Sequence, residues 1–471
     1  MIVGGGPLPA QSQVSIERNV IWIDALTDSP GFSTRKLLFT AGQEKVKDVV
    51  EHQPDNRELQ RFLPLARLFG SEGDALSVFR SNQLKHIDGS ATAASLDRQF
   101  SSMLEGLQNG DGLWFIYNGH GGMESSDPSE NTLRLWNDST LDARRFAAIA
   151  KTRPAGTVLR SFMPQCFSGG FARSIALDPA APDANHIDRL QCGFYSVPHH
   201  LESEGCTINV DSGEYRDYST YFFAALTGMD RNGNAVDIAS PDGKNPTLLD
   251  AHRWAYINGD STDIPFSSSE YFLELWQPWY ARWQTVTTVS DDNPYIRSAQ
   301  AIAEKTGIAN TSINQMASLA SEKIDSISEQ VANISNKQQG IANREHALRK
   351  KLSTAFMQHF PEAALPHAGG WAQLLQEKAN EMLQWITSHP DYPQLEKLQQ
   401  DIATLDEELL ETRRELTKFI RLQRMLKLAT LREIFFRSAS ASARDSYEAL
   451  LACESWTPPL ADLKPAVGGK Q

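Results

Sequence analysis

Two strand-like runs that stop in small-residue turns carry the residue types that could do chemistry. Leu113-Trp114-Phe115-Ile116-Tyr117 leads into Asn118-Gly119-His120-Gly121-Gly122. Thr157-Val158-Leu159-Arg160-Ser161-Phe162-Met163 leads into Pro164-Gln165-Cys166-Phe167-Ser168-Gly169-Gly170. A strand that ends this way delivers its next side chain to the carboxyl edge of a sheet, where open α/β folds bind ligands. On neighbouring strands, His120 and Cys166 would face one crevice as a base and a thiol nucleophile. The sulfur reacts only as thiolate, and a histidine exchanges its proton near neutrality, at a pKa of about 6.5. Gly121 has no side chain to shield its amide, so the N–H groups of Gly121 and Cys166 are the expected oxyanion donors. One such donor is typically worth roughly 3 kcal/mol of barrier. Gly169 and Gly170 are expected to admit a substrate backbone and to let a helix begin beside the thiolate. The chemistry expected of this set is peptide-bond hydrolysis through a thioester on Cys166, with no cofactor required.

Two other readings fit some of the same residues. His-Gly-Gly also occurs in the oxyanion loops of esterases, with Cys166 then standing for serine in a nucleophile elbow. That elbow needs glycine two residues either side of the nucleophile, and Pro164 and Ser168 stand there. Alternatively, His120 is a satisfied core histidine and Cys166 a buried apolar filler.

The elements needed to position the pair can be read around it. Met1-Ile2-Val3 before Gly4-Gly5-Gly6-Pro7 predicts a first strand, though Pro9 spoils any dinucleotide fingerprint. Helical spacing runs over 15–26 and 91–107, with a strand at 36–39 and a polar, irregular stretch at 48–83. A helix at 141–150 separates the two strand ends. A strand at 191–197 and a helix at 218–226 follow. Such alternation predicts an α/β fold with a mainly parallel sheet covered by helices. After a polar linker at 287–294, only helical periodicity remains to about residue 456. The positions Ile313, Met316, Ala320, Ile324, Ile327 and Val331, and later Leu395, Leu398, Ile402, Leu405 and Leu409, keep coiled-coil spacing. They predict an antiparallel arm, joined by a helix near 371–385; an ordinary helical bundle is the plainer alternative. The expected domains are therefore 1–286, 295–456 and a tail at 457–471.

Composition sets the bounds. The chain has 471 residues, 41% of them hydrophobic, and a formal net charge of −13. That charge argues against a general nucleic-acid binder, which needs a basic face. No window is long and apolar enough to span a bilayer. Four cysteines in so long a chain are no disulfide scaffold. Cys192 and Cys206 could pair, and buried free thiols are the simpler expectation. The compartment stays open: cytoplasmic as written, or exported if an upstream signal peptide was trimmed.

Together, Asn118-Gly119-His120-Gly121 and Gln165-Cys166-Phe167-Ser168-Gly169-Gly170 resemble the clan CD cysteine peptidases, the caspase, legumain and metacaspase group. Gly4-Gly5-Gly6-Pro7 and residues 13–20 look like the start of the bacterial legumain-like (C13-type) branch. The resemblance covers about residues 1–280. It implies a caspase-like fold, and a specificity pocket after the cysteine. Ser196, in Gln191-Cys192-Gly193-Phe194-Tyr195-Ser196-Val197, would end the pocket strand. Glu202-Ser203-Glu204 would form its loop, and Asp217, before Tyr218-Ser219, would be the pocket aspartate. Gln165 would lie beside it. Only Gln11, Ser12 and Gln13 stand where legumains place an arginine, which would leave Asp217 and Glu204 for a basic P1 residue. Exposed loop charges, and a helix cap at Asp217, are the alternatives.

Asp230, Asn232 and Asn234 have the opening spacing of a calcium loop, but Ala235 and Pro241 depart from it, so a metal-free turn fits better. His199 and His200 have no ligand spacing. The resulting expectation is a cysteine endopeptidase acting on protein substrates, with a helical domain that regulates it or docks a protein partner. Its rival is a catalytically silent caspase-like scaffold acting through the helical arm.

Overall fold

The structure is a computed structural model that describes residues 1–206, 216–238, 245–282, 289–308, 311–364 and 370–461. The chain divides into two compact units. Met1–Val50, Phe79–Lys323 and Thr417–Gln471 form one; Glu51–Val78 and Ile324–Leu416 form the other.

The first unit is built on a mixed eight-stranded sheet. Its path runs Phe266–Ser267, Gln191–Tyr195, Val158–Met163, Gly112–Met123, Ile2–Gly5, Leu37–Phe39. The inner pairings are parallel, and Phe266–Ser267 joins antiparallel at the edge. Two strands, Asn131–Leu135 and Ser139–Asp142, extend the far end of Gly112–Met123 by antiparallel pairing. Sequence periodicity predicted neither, because they are short and polar.

Alternation along the central strand sorts the core into two faces. Leu113, Phe115 and Tyr117 pack with Phe100, Phe146 and Phe171 on one side. Trp114 and Ile116 pack with Val20, Ile23, Phe162 and Phe223 on the other. The flanking helices start where side chains satisfy their free amides. Thr92 accepts from Ser95 N, Asp142 from Arg145 N, and Thr247 with Asp250 forms a capping box. The helices Val14–Thr27, Ala93–Glu105, Ala143–Ala150 and Tyr218–Thr227 fall where periodicity placed them, within a few residues.

Beyond residue 293 the described elements are helical: Pro294–Lys305, Ile313–His359, Gly370–Ser388, Tyr392–Ser438 and Ala441–Glu454, with one short 3-10 turn, Pro361–Ala364. No helix among the described residues is long and apolar enough to cross a membrane. In the second unit, Ile341 packs against Leu398 and Leu405, with Ile334, Leu348 and Ile402 beside them. Gln399 donates to Glu345 at 3.0 Å, Lys351 pairs with Asp391 at 2.7 Å, and Gln338 bonds Asp406. These partners run in opposite directions along the two long helices, so the pair is antiparallel. The stretch expected to be irregular holds short helices instead. One of them, Leu63–Phe69, buries Leu65 and Leu68 among Leu352, Phe356, Met382 and Leu395.

One cysteine expectation is corrected here. Cys192 is disulfide-bonded to Cys453, 261 residues away. The bond ties the Gln191–Tyr195 strand to the helix Ala441–Glu454 within the first unit. The side chain of Cys206 lies outside the described residues.

Candidate site at the carboxyl edge of the sheet

His120 and Cys166 do come from adjacent parallel strands. The register Ile116↔Phe162 brings both chain segments out at the same edge. Gly121 lies directly against the cysteine turn: a Cβ there would fall 1.9 Å from Cys166 O. Only glycine allows that approach. Phe167 then takes a left-handed conformation (φ 57°), turning the chain into the 3-10 helix Ser168–Ile175.

The side chains, however, are committed elsewhere. Cys166 is the free cysteine among the described residues, and it is buried. Its sulfur accepts from Ser203 N–H at 3.3 Å and faces Ser203 O at 3.7 Å. The His120 ring donates from Nε2 to Gln11 O at 2.8 Å and to Gln13 Oε1 at 2.9 Å. Both partners are acceptors, so that nitrogen carries the ring proton. Burial holds the His120 pKa below its ordinary value, against the Gln11 hydrogen bond, and so favours the neutral ring. No hydrogen bond joins His120 to Cys166 among the described residues. The expected Cys–His dyad, and with it the cysteine endopeptidase with a basic P1 preference, is overturned by this arrangement: a thiol packed against one loop and an imidazole bound by another.

The flanking glycines tell the same story. A Cβ on Gly169 would meet His199 N at 2.5 Å, and one on Gly170 would meet Pro128 O at 2.3 Å. The space expected for a substrate backbone is filled by the protein's own. The helix expected beside a thiolate is a 3-10 segment.

The specificity-pocket residues form a closed polar network. Ser196 donates to Gln165 O at 3.1 Å and bonds Ser168 Oγ at 3.3 Å. Gln165 is buried, and neither its Nε2 nor its Oε1 has a partner among the described residues. Glu204 accepts from Thr262 N at 2.8 Å. Asp217 was expected to lack an internal partner, but it accepts from Thr220 Oγ1 at 2.6 Å and Asn19 Nδ2 at 3.4 Å. It stands before the helix Tyr218–Thr227 without a side-chain cap bond.

Two residues that sequence reasoning missed hold this network in place. Asp263, fully buried, accepts from Glu204 N at 3.0 Å and Tyr218 N at 3.1 Å. Burial pushes its carboxyl up to about 7, against those amides and the nearby Arg421. Arg421, buried in the helix Tyr392–Ser438, donates to Asp263 O at 2.8 Å, Ser261 O at 3.1 Å and Gly259 O. It gathers the loop that carries Asp263. Neither residue stands in a local pattern that would have singled it out.

The calcium-like opening is a turn built on Asp230. Its carboxylate accepts from Asn232 N at 2.9 Å, Asn234 N at 2.8 Å and Asn234 Nδ2 at 2.9 Å. Among the described residues, no three His, Cys, Asp or Glu side chains gather as a metal site.

No protein-family model matches the chain, and no curated protein does. The solved structure of protein GSU0716 from Geobacter sulfurreducens is similar over 38% of this chain and 73% of its own. Its identity is 13% and its TM-score 0.25, a likeness too slight to carry an argument.

Proposed function

We propose that the chain is a catalytically silent interaction module, in which a caspase-like sheet unit serves as scaffold and the helical region docks a protein partner. The observation that carries this reading is the separate tethering of the two reactive side chains, Cys166 to Ser203 and His120 to Gln11 and Gln13. The caspase-like assignment draws support from the parallel strand order, with His120 in the Gly112–Met123 strand and Cys166 just after the adjacent Val158–Met163 strand. The docking role draws support from the antiparallel helix pair. Its apolar contacts are spent on the seam, while Glu407 and Glu408 stay exposed. Acidic positions on such a face suit a partner with a basic one. The Cys192–Cys453 disulfide favours an oxidising compartment.

Crosslinking in the source cells tests the reading with three full-length proteins: wild type, Cys166→Ala, and Glu407→Lys combined with Glu408→Lys. The same partner should be captured by the first two and lost from the third. A capture that depends on Cys166 and ignores the helix charges would overturn it.

A further inference from the structure

A row of three side chains crosses the sheet far from the candidate site. Trp114, Arg160 and Cys192 are register neighbours on three adjacent strands, so they stand side by side on one face. Cys192 is bonded to Cys453, and the chain that follows lays Trp456 over the row. The Arg160 guanidinium sits 4.7 Å from the Trp456 ring, and Trp114 meets Trp456 edge-on at 5.7 Å.

Trp114, Arg160 and Trp456 form a wall of a cavity of about 680 Å³. Ile2, Leu37, Gly112 and Val158, at the starts of four parallel strands, also line it, which puts it at the amino edge of the sheet. The volume is in the range of small-molecule sites. Phe32, stacked on Trp114 at 6.4 Å, adds a further aromatic surface.

Several of the charged groups around the cavity have partners of their own. Arg35 pairs with Asp24 and Asp28, and Lys36 with Asp88. Asp88 also meets His86, and the exposed Asp111 accepts from Gln108 N. The Met1 amino group donates to Trp114 O at 2.8 Å. Arg160 donates from Nε to Cys453 O at 2.9 Å, and its Nη groups have no acceptor and no carboxylate among the described residues. Burial alone lowers its pKa to about 10. Beside it, the buried Trp114 Nε1 has no acceptor among the described residues. A partly buried guanidinium whose Nη groups have no acceptor lacks one thing, an anionic partner.

We infer that this cavity binds a small organic anion, its carboxylate or phosphate head on Arg160 and its apolar body against Phe32, Trp114 and Trp456. The planar fork of arginine suits both head groups. The exposed Lys85 at the rim adds attraction for either.

Ligand-observed NMR on the full-length, disulfide-intact protein tests this with benzoate, phenyl phosphate and the neutral isostere benzamide. Saturable binding of benzoate or phenyl phosphate is expected, with whichever binds more tightly identifying the head group. That binding should weaken about tenfold or more in Arg160→Gln, and benzamide should bind at least about tenfold more weakly than benzoate to wild type. If Arg160→Gln does not fold, the benzoate-to-benzamide ratio on wild type decides alone. No saturable binding of either anion at millimolar concentration, or equal binding of benzoate and benzamide, would overturn the inference.

Discussion

The amide of Ser203 meets the sulfur of Cys166 at 3.3 Å, and the His120 ring is turned away to Gln11 and Gln13. A sulfur that accepts from a backbone amide inside a closed turn is packed as part of the fold. The imidazole gives its Nε2 proton to two other oxygens, and no hydrogen bond links the ring to that sulfur among the described residues. The consequences reach the loops that hold both residues.

The tightest of these contacts is at Gly121. Any side chain there would run into Cys166 O, which belongs to the backbone and cannot rotate away. Gly121→Ala is therefore expected to destabilise the protein by about 1–3 kcal/mol or more. At the neighbouring Gly122 the nearest atom is Arg134 Nε, on a flexible side chain, so Gly122→Ala should cost less. Chemical denaturation of the two variants side by side checks the order.

Arg421 is expected to behave as a structural pin. Arg421→Met would leave the carbonyls of Gly259, Ser261 and Asp263 without their buried donor. Breaking a buried charged network by removing one partner typically costs about 3–5 kcal/mol. Hydrogen exchange should also quicken at the Glu204 and Tyr218 amides, which rely on Asp263. Unchanged exchange there would separate Arg421 from that loop.

Stability should fall as pH rises towards mild alkalinity. Burial raises Glu454 from 4.5 to about 8, and Asp263 from 3.8 to about 7. Each acid, with its folded pKa above the unfolded one, stabilises fully below the unfolded value and loses that contribution as pH climbs through the folded value. The window thus runs from about pH 4 to about pH 8. Glu454 accepts from Ser269 N at 2.6 Å and Ser269 Oγ at 2.7 Å and sits near Glu270. Glu454→Gln should flatten the decline between pH 6 and pH 8, as read from urea midpoints; an unchanged slope would contradict the assignment.

The disulfide gives a prediction of its own. Peptide mapping without reductant should recover Cys192 linked to Cys453. Reduction should lower stability by roughly 2–5 kcal/mol, as for other native disulfides. Recovery of both residues as free thiols from oxidised protein would exclude the bond.

Much of the sheet was legible because its strands are apolar runs with sharp ends. The Leu113–Tyr117 and Val158–Met163 runs predicted adjacent parallel strands, as found. What the side chains of His120 and Cys166 bond was not legible. Gln11, Gln13 and Ser203 reach them through loops with no periodic signal. The return of residues 441–456 to the sheet was hidden for a similar reason. Cys453 and Trp456 meet Cys192 and Arg160 across hundreds of residues, and local spacing carries no trace of such contacts.

The central claim is that Cys166 does no peptide chemistry, and a fluorogenic panel with Arg, Lys, Asn and Asp at P1 tests it most directly. Intact wild type and Cys166→Ala should be indistinguishable across the panel, and a thiol-directed activity probe should leave native Cys166 unlabelled. Cleavage of any substrate by wild type that disappears in a folded Cys166→Ala protein would contradict the account.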